Sequence, residues 1–92
     1  MTPRDMTSKE IKEEVIYKLF RRGSWGSRYS NRKAVEHQID NLVKDDGKKV
    51  SGAIDELAKD FLVLEHKKRK AISLNPRRKK SIMKIIDDAF SS

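Results

Sequence analysis

Apolar residues recur along this chain at helical spacing, beginning just after the pattern Thr7-Ser8-Lys9-Glu10. This pattern is typical of a capping box, in which the Thr7 hydroxyl and the Glu10 carboxylate each accept a hydrogen bond from the other residue's backbone amide. The residues that follow on one helical face are Ile11, Val15, Ile16, Leu19 and Phe20. They predict a first helix with one apolar face, which Gly23, Ser24 and Gly26 bring to an end.

The same periodicity predicts two further helices. The second begins at Asn31 or Arg32 and stops at the turn Asp45-Asp46-Gly47, and its inner residues are Val35, Ile39, Leu42 and Val43. The third covers residues 48–60 and buries Val50, Ile54, Leu57 and Phe61. Residues 23–29 are predicted as a loop or short extended piece. We expect the lone Trp25 there to belong to the core, with stacking of Trp25 and Tyr29 on unpaired bases as the alternative.

A hairpin and a last helix follow. Residues 62–66 and 71–74 are predicted as two short strands joined by a basic turn. Asn75-Pro76 is typical of a helix start, a cap followed by proline at the first helical position. The last helix has the apolar residues Ile82, Ile85, Ile86, Ala89 and Phe90. Residues 1–6 are predicted as a flexible tail and residues 7–92 as a single domain.

This order of elements resembles the winged helix-turn-helix fold. The part with the strongest resemblance contains Ala53-Ile54-Asp55-Glu56-Leu57 and Ala71-Ile72-Ser73-Leu74-Asn75-Pro76, and it is similar to small archaeal winged-helix proteins of unassigned function. The implied fold class is mainly α (α+β), with three helices, a β-hairpin wing and a C-terminal helix. The implied function is binding of double-stranded DNA, as a transcriptional regulator or a chromosome-associated protein.

The resemblance also implies which residues contact DNA. The third helix corresponds to the recognition helix, whose exposed N-terminal residues here are Lys48, Lys49 and Ser51. The wing, which follows phosphates or a minor groove, corresponds to Lys67, Lys68, Arg69 and Lys70. Arg32 and Lys33 begin the second helix, where such folds contact a backbone phosphate.

The charge distribution independently favours a polyanionic partner. The 92 residues include 22 basic and 14 acidic ones, for a net charge of +8. Nine of the basic residues lie between His66 and Lys84, a stretch that contains no acid. Neutralising phosphates with such a field releases condensed counterions.

Arg77, Arg78, Lys79 and Lys80 occupy the start of the last helix. There the macrodipole disfavours cations by about 0.3–1 kcal/mol each. We expect Arg77 and Arg78 in particular to bind phosphate or a partner. The alternative is a face paired by salt bridges to the acidic second and third helices.

The acids of the third helix leave a different class of function open. Between Glu36 and Asp60 there are seven acids and four bases, and Asp55 and Glu56 lie in the middle of the third helix. This excess favours an RNA-associated or ribonucleoprotein-associated protein, or a winged-helix scaffold for protein interaction. The last helix is a candidate contact for a homodimer.

Several classes are disfavoured. The chain has no cysteine, and its two histidines supply too few ligands for a metal site, so we expect no metal and no cofactor. No nucleophile with a paired base and no phosphate-binding glycine loop is present, so we expect no enzyme. No apolar run approaches the roughly 20 residues of a membrane span, which favours a soluble, cytoplasmic protein.

Overall fold

The computed structural model describes residues 6–42 and 48–90. Its elements in chain order are α1 (Ser8–Arg21), β1 (Ser30–Asn31), α2 (Arg32–Asp40), α3 (Lys48–Lys59), β2 (Val63–His66), β3 (Ala71–Leu74), a 3-10 turn (Pro76–Arg78) and α4 (Lys79–Phe90). Within the described residues the fold is therefore α+β, with four helices and a hairpin in the predicted order. The predicted turn at Asp45-Asp46-Gly47, together with Val43, lies outside them.

The three strands form one antiparallel sheet in the order β1-β3-β2. β2 and β3 are the predicted hairpin, in which Val63 lies opposite Leu74 and His66 opposite Ala71. The predictions missed β1, whose Ser30 pairs with Ile72 and whose Asn31 pairs with Ala71. β3 is consequently the central strand, and all four of its residues are buried.

The core lies between the sheet and the helices, and α1 packs against α2, α3, α4 and β3. Among the described residues, the apolar residues predicted to be inside α1, α2 and α3 are buried, apart from the half-buried Phe20 and Leu42 and from Phe61. Leu42 is less buried than expected because α2 ends at Asp40, before Leu42 can join its inner face. The core also extends to Met6, a residue assigned to the tail by the sequence, which is only 4% exposed.

The predicted helix caps are confirmed. The Thr7 N–H donates to Glu10 Oε1 at 3.0 Å, and the Glu10 N–H donates to Thr7 Oγ1 at 3.1 Å, which completes the capping box of α1. At the other end of the chain, Asn75 Oδ1 accepts from the Arg77 N–H at 3.1 Å and Pro76 follows the cap. The helix begins there as predicted, although its first turn is a 3-10 turn.

The two helices α1 and α3 end in the same way, with different residues. Gly23 has φ 67° and donates to Phe20 O, while the Ser24 N–H donates to Leu19 O. Phe61 has φ 62° and donates to Ala58 O, while the Leu62 N–H donates to Leu57 O. Both pairs of bonds define a Schellman motif, whose left-handed position favours glycine.

The prediction that Phe61 is buried is therefore wrong. Its left-handed backbone ends α3 and turns the side chain away from the apolar face of that helix, leaving Phe61 66% exposed. Asn75 holds the chain at this point, since its Nδ2 donates to Phe61 O at 2.7 Å and its N–H donates to Leu62 O at 3.0 Å.

We expect Phe61→Gly to raise the free energy of unfolding by about 1 kcal/mol, because glycine adopts a positive φ without the Cβ clash. Little apolar burial is lost, since the side chain is mostly exposed. Urea denaturation measures the change. Phe61→Ala is the control, because it removes the ring but keeps the Cβ, and it should shift stability by less than about 0.5 kcal/mol. Equal stabilisation by both variants would contradict the backbone explanation.

Candidate nucleic-acid interface

Lys67, Lys68, Arg69 and Lys70 form the connection between β2 and β3, here called the basic turn. All four are exposed, and the Lys70 N–H donates to Lys67 O at 3.2 Å. Lys67, Lys68 and Arg69 have φ values of 49°, 55° and 72°. Residues with a Cβ pay about 1–2 kcal/mol each for this left-handed conformation. The turn thus combines backbone strain with repulsion among four like charges, and both must be offset by pairing of the hairpin.

The start of α2 supports the basic turn from one side. The Arg32 N–H donates to Lys70 O at 2.9 Å, directly after Asn31 pairs with Ala71 in the sheet. The predicted phosphate-binding helix start and the predicted wing are therefore neighbours in the structure.

An aromatic pair supports the turn from another side. Tyr29 stacks on His66 with ring centroids 4.8 Å apart, and Lys67 Nζ lies 5.0 Å from the centroid of the Tyr29 ring. The Ser73 hydroxyl donates to Gly26 O at 2.7 Å, so His66 Nε2, 2.9 Å from Ser73 Oγ, is the donor in that contact. Tyr29 remains 42% exposed beside the basic turn. The partnership of Tyr29 with His66 was not predicted, because it joins a loop to a strand far along the chain.

The guanidinium of Arg32 is the centre of a cluster of polar side chains, here called the Arg32 cluster. Arg32 is only 8% exposed. Its Nε donates to Glu36 Oε2 at 3.3 Å, its Nη2 to Asp55 Oδ1 at 2.9 Å and its Nη1 to Glu65 Oε2 at 3.5 Å. Nη2 also lies within 3.1 Å of Ser51 O and 3.0 Å of Ser51 Oγ. One cation thus joins α2, α3 and β2.

Two of the predicted DNA contacts have partners within the protein. Arg32 is predicted to contact a backbone phosphate of DNA, and in the structure its buried guanidinium pairs with three carboxylates. Ser51, predicted as a base contact, is half-buried and accepts two contacts from the same guanidinium. Arg69, by contrast, remains exposed, although its Nε reaches Glu65 Oε2 at 3.7 Å.

An open cleft of about 640 Å³ lies between the basic turn and the starts of α2 and α3. Its lining residues are Asn31, Arg32, Lys33, Glu36, Ser51, Asp55, Arg69 and Lys70. Five of the predicted contacts therefore meet at one place. Lys48 and Lys49 are exposed on the turn of α3 that precedes Ser51.

The structure separates Arg77 and Arg78 from this cleft. Ala71 follows the basic turn and Leu74 is at the other end of β3, so the two arginines lie beyond the opposite end of a strand about 10 Å long. Arg77, Arg78, Lys79 and Lys80, here called the α4 basic cluster, are all exposed. Among the described residues they form no salt bridge: Asp55 pairs with Arg32, and Glu56 pairs with Lys12 at 3.0 Å.

Comparisons with protein-family models, curated proteins and solved structures found no match for this chain. The geometry of the site is therefore the basis for any functional conclusion. Within residues 6–42 and 48–90, no group of three His, Asp or Glu side chains could hold a metal ion. In the same part of the chain, no helix is long and apolar enough to cross a membrane.

Removing the central cation should destabilise the fold. We expect Arg32→Ala to lower the free energy of unfolding by about 2 kcal/mol, less than the roughly 3–5 kcal/mol for a fully buried pair, because the Asp55 side chain is 54% exposed. Urea denaturation measures this loss. Lys33→Ala removes the same charge from an exposed neighbour and should cost less than about 0.5 kcal/mol. Equal stability of the two variants would contradict a structural role for Arg32.

Proposed function

We propose that the protein binds double-stranded DNA, mainly through phosphate contacts made by the basic turn and by the starts of α2 and α3. The observation that carries this proposal is the basic turn itself, in which four exposed cations occupy a strained connection beside an open cleft. Strained backbone is often found where a ligand is bound. Exposed cations held at a fixed position neutralise phosphates and release counterions.

The arrangement of the elements supports a winged helix-turn-helix as the scaffold. α2 and α3 precede the hairpin and α4 follows it, as in the order that the sequence indicated, and β1 adds a strand without changing that order. In such a domain α3 is the recognition helix and the basic turn is the wing. Lys48 and Lys49 then face the major groove.

The acids of the Arg32 cluster argue for weak reading of bases. Glu36 and Asp55 line the cleft together with the cations, and they repel phosphates that approach the middle of α3. Ser51 is engaged by Arg32, so the base contacts fall to Lys48 and Lys49 at the helix start. We therefore expect modest affinity and a weak sequence preference, closer to a chromosome-associated protein than to a highly selective regulator.

A homodimer through the C-terminal helix stays a prediction. Ile82 and Ile86 of α4 are buried within the chain, whereas its other apolar residues, Met83, Ile85, Ala89 and Phe90, are partly exposed. Two copies docked on a paired site would bind more tightly than one, because each adds its own phosphate contacts.

Salt dependence tests the phosphate contacts. If about six phosphates are neutralised, log K should fall with log salt at a slope of about −5. Replacing Lys68 and Lys70 by alanine should weaken binding to all duplexes alike and flatten that slope by about two. Fluorescence anisotropy with labelled duplexes at several sodium chloride concentrations measures both effects.

The matched control replaces Lys59 and Lys84 by alanine. These lysines are exposed at the end of α3 and on α4, so the control loses the same charge away from the cleft. If both double variants weakened DNA binding equally, the basic turn would contribute only its net charge, and the proposal would be contradicted. Tighter binding to a structured RNA than to the duplex at every salt concentration would favour the ribonucleoprotein alternative.

Two substitutions in α3 test whether this helix approaches the bases. Lys49→Ala should change the preferred sequences in a selection from random duplexes, since a good base contact contributes about 1–3 kcal/mol of discrimination. Asp55→Asn should strengthen binding by removing a repulsive charge from the cleft. If Lys49→Ala left the sequence preference unchanged and Asp55→Asn left the DNA affinity unchanged, the interface would be restricted to the basic turn.

A further inference from the structure

An apolar groove lies at the end of β3 opposite the basic turn. It is lined by Phe20, Trp25, Pro76, Lys79 and Met83 and has a volume of about 480 Å³. Phe20, Trp25 and Met83 are half-buried and pack against the core with one side, which leaves the other side facing the groove. These residues come from the end of α1, the loop that follows it and the start of α4.

The groove has a rigid floor. The Gly26 N–H donates to Leu74 O at 2.9 Å, and the Leu74 N–H donates to Ser24 O at 2.7 Å, so the loop around Trp25 is bonded to β3 on both sides. Gly26 has φ 58°, and a Cβ on it would lie 3.3 Å from Pro76 Cγ. The loop and Pro76 thus pack closely, and a ligand would meet a preformed apolar surface.

A cluster of cations lies beside the groove. Lys79 lines the groove. Arg77, Arg78 and Lys80 lie within two residues of Lys79 in the chain, at the start of α4. All four are exposed and form no salt bridge within the described residues. The four like charges repel one another, and the positive end of the α4 dipole adds to their field, so the cluster attracts carboxylates.

We propose that this groove binds an acidic peptide segment of a partner protein. One aromatic or aliphatic side chain of the peptide inserts between Trp25 and Met83, and the flanking carboxylates lie against the α4 basic cluster. Apolar lining suits an inserted side chain better than the polar edges of bases. The exposed cations of the α4 basic cluster oppose a second copy of this chain, itself of net charge +8, as the occupant of this groove. This inference goes beyond DNA binding and stands independently of it, because the two surfaces lie at opposite ends of β3.

Trp25 makes the proposal directly measurable, because it is the only tryptophan in the chain. The full chain is titrated with a synthetic peptide in which aspartates flank a single phenylalanine. We expect a saturable shift of the tryptophan emission to shorter wavelength as the inserted side chain excludes water. A peptide with alanine in place of phenylalanine should bind about tenfold more weakly, as expected for loss of an interface anchor. A peptide with asparagines in place of aspartates should also bind more weakly.

Charge reversal on α4 provides the matched pair of protein variants. Lys79→Glu should weaken binding of the aspartate peptide at least about fivefold, because an attraction at the rim becomes a repulsion. Lys84→Glu makes the same charge change on the same helix. Lys84 lies five residues after Lys79, so its side chain projects about 140° away from that of Lys79. It should retain nearly full affinity. Circular dichroism and urea denaturation establish that both variants are folded.

Three results would overturn the proposal. The first is an unsaturable response, or equal affinity for the phenylalanine and alanine peptides. The second is an equal loss in the Lys79→Glu and Lys84→Glu variants. The third is a Trp25 emission shift caused by duplex DNA and abolished by Lys79→Glu, which would assign the groove to the nucleic-acid surface. The Lys68 and Lys70 double variant separates the two functions, since it should lose DNA affinity and keep peptide affinity.

Discussion

The relative positions of α2, α3 and the hairpin depend on one buried cation. The backbone N–H of Arg32 donates a hydrogen bond to Lys70 O. The Arg32 guanidinium donates to carboxylates of α2, α3 and β2 at 2.9–3.5 Å. A guanidinium suits this task because its donors point outward in one plane and can serve several acceptors at once. The same residue that positions the cationic turn thus uses up its own charge inside the protein. Because the guanidinium is buried, the exposed charges around the cleft are those of Asp55 and of the cations Lys33, Arg69 and Lys70.

The exposed cations of this strongly basic chain are divided between two surfaces. The cations that meet at the cleft are separated from the α4 basic cluster by the length of β3, with the aromatic pair of Tyr29 and His66 beside the turn. At one end of β3 the cations lie in a strained turn, and at the other end they lie beside an apolar groove. Total charge alone would suggest one continuous basic surface, whereas the cations lie in two groups, one beside a polar cleft and one beside an apolar groove.

Much of the fold was predictable because the deciding interactions are local. The caps of α1 and of the last helix depend on residues two or three positions apart, and the apolar faces on helical period. The two-residue strand β1 was missed because it contains too few residues for any pattern. The Arg32 cluster was only partly visible: Glu36 lies four positions away, but Asp55 and Glu65 lie 23 and 33 positions away. Phe61 was wrongly predicted to be buried, because the left-handed backbone that ends α3 directs its side chain away from the core. The apolar period of a helix does not reveal where a left-handed residue ends it.

Strain at the basic turn and strain at Phe61 have different physical consequences. At Phe61 the ring is mostly exposed, and the left-handed conformation serves only to end α3 and start the hairpin, as glycine does at the end of α1. At the basic turn the strained residues are themselves the exposed cations, and glycine there would relieve the backbone and remove the charge together. If the turn binds phosphate as proposed, stability and binding are opposed at the three successive residues Lys67, Lys68 and Arg69. This opposition supports the proposal, because glycine and uncharged residues would join β2 to β3 with less strain and less repulsion.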